Sequence, residues 1–120
     1  LYAADEYAHV VYRVDLATAT IGIYAGNGAA TNLDGTGDGG PATAAEVPYP
    51  QGLTVDDADN LYILQIENQV RRVDQAGVIT TVSAGPYVSD DVGIEYHPAS
   101  RVLYPIGNDY PRTNTLYLVG

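Results

Sequence analysis

Apolar and polar residues alternate in short runs along most of this chain, and clusters of turn residues separate the runs. Alternation of that period places successive side chains on opposite faces of a strand. The pattern predicts strands over residues 1–5, 9–15, 20–25, 52–56, 60–65, 69–74, 78–83, 92–97, 101–106 and 114–119. A helical period is absent, apart from one turn at Ala42 to Glu46. The connections are hairpin-like. Asp74-Gln75-Ala76-Gly77 opens on an Asp, whose carboxylate accepts from backbone N–H groups, and closes on a Gly, which accepts positive φ. Asp15-Leu16-Ala17-Thr18 and Asp56-Asp57-Ala58-Asp59-Asn60 are turns of the same kind.

The strands repeat. Leu1-Tyr2-Ala3-Ala4-Asp5, Arg13-Val14-Asp15 and Ile23-Tyr24-Ala25-Gly26 return as Leu61-Tyr62-Ile63-Leu64-Gln65, Arg72-Val73-Asp74 and Val82-Ser83-Ala84-Gly85. More loosely, Gly52-Leu53-Thr54-Val55 and Leu61-Tyr62 are echoed by Gly93-Ile94-Glu95-Tyr96 and Leu103-Tyr104. A four-stranded unit recurring every forty-odd residues (~40–45) is the mark of a β-propeller blade. A single blade cannot bury both of its faces, so blades stack. The expected fold is therefore all-β, with about two and a half to three four-stranded antiparallel blades present. Residues 1–26 supply the last three strands of one blade, 27–49 an inter-blade insertion, 50–85 a full blade and 86–120 a divergent third.

Composition narrows the function. Five Arg and no Lys face fifteen acids, eleven of them Asp, for a net charge of −10. Such a surface repels phosphates, which counts against nucleic acid and anionic membranes as partners. No apolar run approaches the roughly 20 residues of a membrane span. The absence of Cys excludes disulfides and thiolate chemistry. The chain opens on Leu1 without a signal peptide, as expected of a mature or fragmentary piece of a longer precursor.

Gly37-Asp38-Gly39-Gly40-Pro41-Ala42-Thr43-Ala44-Ala45, Tyr49-Pro50-Gln51-Gly52-Leu53-Thr54-Val55-Asp56, Asn60-Leu61-Tyr62-Ile63, Arg71-Arg72-Val73-Asp74 and Gly77-Val78-Ile79-Thr80-Thr81-Val82 resemble the NHL-repeat β-propellers. The likeness is to the bacterial secreted type, whose blades carry a Gly-Asp-Gly-Gly-Pro-Ala-Thr-Ala insertion. It covers residues 1–85 well and 86–120 poorly. It implies a ring that is six-bladed when complete, an extracellular or cell-surface location and a binding role. Where the family has Ala-Asp after the Leu-Tyr strand, the second unit has Leu64-Gln65, and the third has His97-Pro98 in place of Asp56-Asp57.

Candidate chemistry is sparse. Asn32 to Gly40 is glycine-rich and places Asp34 and Asp38 four residues apart, a candidate ligand-binding loop or a pair of turn caps. Asp56, Asp57 and Asp59 cluster on a hairpin, where hard carboxylate oxygens suit Ca²⁺ or simply form a solvated turn. Ca²⁺ is the one cofactor the residues suggest. His9 and His97 are too few for a zinc site. Ser83, Ser89 and Ser100 lie outside any Gly-x-Ser-x-Gly elbow. Tyr2, Tyr62 and Tyr104 recur at matching positions as packing residues, whereas Tyr96 and Tyr110 in the divergent unit are candidate ligand contacts. Arg71 and Arg72 are expected to pair with acids.

These residues point to a non-catalytic extracellular module that binds a protein or a glycan, or acts as a scaffold. Two alternatives belong to other classes. One is a structural subunit of an extracellular filament or surface assembly, self-associating through incomplete blades. The other is a fragment of a metal-dependent propeller lyase or lactonase.

Overall fold

The computed structural model describes residues 1–66, 69–84, 91–99, 102–107 and 117–118. Three antiparallel sheets account for the strands. β1 (Tyr2–Asp5), β2 (Val10–Asp15) and β3 (Thr20–Ala25) form the first. β4 (Gly52–Val55), β5 (Leu61–Gln65), β6 (Gln69–Val73) and β7 (Ile79–Ala84) form the second. β8 (Asp91–His97), β9 (Val102–Gly107) and β10 (Tyr117–Leu118) form the third. Within each sheet every strand pairs with its neighbour in sequence, and β8 lies beside β4. The chain is thus all-β, a series of partial β-propeller blades, with the strands where the alternation pattern predicts them. The helical turn expected at Ala42 to Glu46 is a 3-10 turn over Ala42–Ala44.

Aspartates open the hairpins. The Asp15 Oδ1 accepts from Ala17 N–H at 3.0 Å. The Asp74 Oδ1 accepts from Ala76 and Val78 N–H at 2.9 and 3.0 Å. Asp5 does the same for Ala8 at 3.0 Å. These contacts satisfy turn N–H groups that the ladder leaves over. At the first hairpin the chain leaves the turn through His9 at φ 58°, so β2 begins at Val10 and not at residue 9.

The core sits between the first two sheets. Val11 and Ala25 come from the first, Leu61, Ile63, Val73 and Ile79 from the second, and Ala42, Ala45 and Val47 from the insertion between them. All are buried. Burying apolar surface of this kind is the main favourable term in folding. The insertion also hydrogen-bonds to the outer strand β7. Gly39 N–H donates to Ile79 O at 2.8 Å, Ile79 N–H to Gly40 O at 3.1 Å, and Ala42 N–H to Gly77 O at 2.8 Å. An open strand edge is thereby covered.

The strand registers align the two blades residue by residue. Tyr2 opposite Arg13 corresponds to Tyr62 opposite Arg72, and Val14 opposite Ile21 to Val73 opposite Ile79. Both sheets carry a bulge at the same place, which leaves Tyr24 and Val82 as the extra residues. The faces differ in their surroundings. Leu61 and Ile79 are fully buried against the first sheet, whereas their counterparts Leu1 and Ile21 are 71% and 67% exposed.

Candidate functional site

Polar groups gather where the insertion meets the second sheet. Arg71 stands on β6, on the face turned toward the first sheet, and its side chain is fully buried. Its Nη1 donates to Glu46 O at 3.0 Å and to Gln65 Oε1 at 3.2 Å. Its Nη2 donates to Thr36 O at 2.8 Å and to Asp38 Oδ1 at 3.0 Å, the latter an ion pair. Gln65 Nε2 in turn donates to Asp34 O at 3.1 Å. Gly35 is required here. A Cβ at that position would lie 2.0 Å from Arg71 Nη1, and its φ is +82°. Glu46 anchors the other side of the loop. Its Oε1 accepts from Thr31 Oγ1 and from Thr31 N–H, and these bonds hold the carboxyl below its ordinary range.

Asp56 is the centre of a second knot. Its Oδ1 accepts from Ala58 N–H at 2.9 Å and Asn60 N–H at 3.0 Å. Its Oδ2 accepts from Asn60 Nδ2 at 3.0 Å and from the hydroxyl of buried Tyr62 at 2.8 Å. Desolvation pushes this carboxyl up, but the hydrogen bonds from Asn60, Tyr62 and Ala58 outweigh it, and Asp56 is held below its ordinary range. A third contact joins the first hairpin to the start of the second blade. His9 Nδ1 accepts from Tyr49 N–H at 3.1 Å, and the two rings meet edge to face at 4.4 Å.

The residues singled out in the sequence therefore divide. Asp34 and Asp38 are brought together in one loop, with Asp38 on Arg71 and Asp34 Oδ1 reached by Gln69 Nε2 at 3.5 Å. Asp56, Asp57 and Asp59 share the β4–β5 turn, but among the described residues no three acids or histidines converge as a metal would need. Tyr96 pairs with Leu103 in the third sheet, whereas Tyr110 lies outside the described residues. His97 pairs with Val102 at the end of β8. The pairing of Arg71 with an acid is observed. The carbonyls that surround it were not foreseen, because they depend on how a long loop folds back.

A cleft of about 390 Å³ opens between the first two sheets. Tyr2, Arg13 and Tyr24 form one wall, and Val55, Asp59 and Gln75 the other. The Tyr2 and Tyr24 rings are 5.1 Å apart and tilted by 58°, and the Arg13 guanidinium lies 5.9 Å from the Tyr24 ring centre. Burial and the Tyr2 hydroxyl raise the Tyr24 pKa. The recurrence of Tyr2 as Tyr62 hides this site in the sequence, since it marks both as packing residues.

Antiparallel blades, Asp-opened hairpins and an arginine-held insertion define an NHL-type β-propeller segment. The family model described as Teneurin NHL domain matches residues 1–91, and the chain belongs to that family. Teneurin-4 of Mus musculus is 41% identical over 63 residues, which is 47% of this chain and 2% of that protein. Teneurin-4 of Homo sapiens is 40% identical over 63 residues, with the same shares. The chain spans about a fiftieth of the length of these curated relatives.

Proposed function

We propose that this chain is part of a non-catalytic, extracellular NHL-type propeller that binds a protein or a glycan. The observation that carries the reading is the use made of the polar clusters. Arg71 with Asp38, Glu46 with Thr31, Asp56 with Tyr62 and His9 with Tyr49 all fix loops in place. A carboxylate saturated with local donors is a brace rather than a general base. Rigidly held loops on a repeat scaffold are the usual platform for recognition. Membership of the Teneurin NHL domain family supports the extracellular placement, and the Gly-Asp-Gly-Gly-Pro-Ala-Thr-Ala insertion supports a secreted bacterial origin.

In this reading residues 1–26 close one blade, 27–49 form the insertion, 50–85 a complete blade and 86–120 a third. The loop carrying Asp34 and Asp38 faces the partner, with Tyr96 and Tyr110 as a second contact set. No cofactor is needed. Ca²⁺ at the β4–β5 turn is a subsidiary proposal that rests on Asp57 and Asp59, because Asp56 is committed to Asn60 and Tyr62.

One observation favours the assembly reading beside it. Leu1 and Ile21 expose apolar side chains whose counterparts in the second sheet, Leu61 and Ile79, are buried core. That exposed surface suits a further blade, from the same polypeptide or from another copy.

The test uses the full-length protein. Saturable binding to members of an immobilised glycan array, or to cell-surface proteins captured by cross-linking on intact cells, is the expected result. Turnover of a sugar or lactone, or cleavage by external protease only after cell lysis, would overturn the reading.

A further inference from the structure

We propose that the cleft between the first two sheets, walled by Tyr2, Tyr24 and Arg13 on one side and by Val55, Asp59 and Gln75 on the other, binds a neutral pyranose saccharide. The proposal rests on the binding role put forward above and adds a site apart from the loop of Asp34 and Asp38, with its ligand class.

The first support is chemical. The cleft, at about 390 Å³, falls within the roughly 300–1,000 Å³ of small-ligand sites. Its wall carries two aromatic rings, which suit the apolar C–H face of a sugar. A forked donor, Arg13, stands on that wall and an acceptor, Asp59, on the wall opposite. Neither makes an ion pair among the described residues, although the chain carries fifteen acids and five arginines. Adjacent hydroxyls of one pyranose both donate and accept, so they satisfy Arg13 and Asp59 together. An anionic ligand would gain from Arg13 but be repelled by Asp59 and by the surrounding acidic surface.

The second support comes from the repeat, which serves as an internal control. Tyr24 is the extra residue of the bulge in the first sheet, and its counterpart in the second is Val82. Packing of the blade therefore does not call for an aromatic at this position. Tyr62 gives its hydroxyl to Asp56, whereas its counterpart Tyr2 leans on Tyr24. Bulges re-aim side chains and are frequent beside binding sites. The opposite wall is held in place: Asp59 N–H donates to Asp56 O at 3.2 Å, and Gln75 Nε2 ties its own turn to Ala58 O.

Saturation-transfer NMR of the full-length protein with lactose, cellobiose and di-N-acetylchitobiose is the test. Saturable binding of at least one is expected. Tyr24→Val installs the residue the second blade uses, and Asp59→Gly suits the φ of 62° at that position, so both variants keep the fold. Each is expected to weaken binding by about tenfold or more, with an unchanged melting temperature. Wild-type affinity in both variants would overturn the assignment of the cleft. Failure of all three sugars would overturn the ligand class; if partner proteins are still captured on intact cells, the general binding reading stands, and if none is, both fall.

Discussion

The guanidinium of Arg71, fully buried on β6, lies 3.0 Å from the carboxylate of Asp38, which is half exposed at the tip of the glycine-rich insertion. One strand residue thus fixes a loop more than thirty positions earlier in the chain, and two further acceptors from the insertion, with Gln65 Oε1 from β5, close around the same cation. The order of costs follows from burial. Arg71→Leu orphans the Thr36 and Glu46 carbonyls and the Gln65 side chain, and is expected to cost about 3 kcal/mol or more, since each buried unsatisfied group costs about 1–3. Asp38→Asn keeps an acceptor oxygen at a solvated position and is expected to cost about 1 kcal/mol. Urea unfolding of the two variants checks this, and a larger loss from Asp38→Asn would refute it.

The same knot makes a prediction about glycines. Gly35 has φ +82°, and a methyl group there would collide with the Arg71 side chain, which its four acceptors prevent from moving, and would press on Glu46 O at 3.0 Å. Gly22, in β3, has no atom within 4 Å of the equivalent position. Gly35→Ala is expected to lose about 1–3 kcal/mol and Gly22→Ala to stay within about 0.5 kcal/mol of the parent. Thermal melting separates them. Equal behaviour would mean that the loop is not held against Arg71.

Acid should loosen the structure through Asp56 and Glu46. Both carboxyls are held below their ordinary values in the folded chain, so the unfolded chain binds more protons as pH falls, and stability rises with pH across that window. Their contribution is complete above the unfolded values of about 4 and is lost as pH falls through the lower folded values. Asp56→Asn is expected to flatten the decline of melting temperature below about pH 4. Tyr62→Phe is expected to cost about 0.5–1.5 kcal/mol at neutral pH by removing the 2.8 Å bond. An unchanged acid slope in Asp56→Asn would assign the pH dependence to other carboxylates.

Much of the fold was legible because its signals are local. Alternation marks the strands, and the Asp that opens each hairpin is read directly from Asp15, Asp56 and Asp74. The repeat carries the blade order as far as the Leu103-Tyr104 pair. The site was less legible, for two physical reasons. Two of the four partners of Arg71 are backbone carbonyls, and nothing in the residue types of positions 36 and 46 announces that their main chain turns inward. Tyr24 looks like any strand aromatic until the register shows it to be the bulge residue with valine as its counterpart. The insertion itself was visible, but its pairing with β7 depends on a loop returning to the strand edge.

His9 and Tyr49 supply the last prediction. Both lie in the left-handed region, at φ 58° and 46°, and Tyr49 precedes a proline, so the junction between the first hairpin and the second blade holds two conformations that L-residues rarely adopt. The bond from Tyr49 N–H to His9 Nδ1 spans that junction. Asn accepts through its side-chain oxygen and tolerates positive φ, whereas Ala offers no acceptor. His9→Ala is therefore expected to lose about 1–3 kcal/mol by orphaning the Tyr49 N–H, and His9→Asn to recover most of it. Paired melting curves give the answer. If the two variants are equally destabilised, the edge-to-face contact with Tyr49, and not the hydrogen bond, is what His9 contributes.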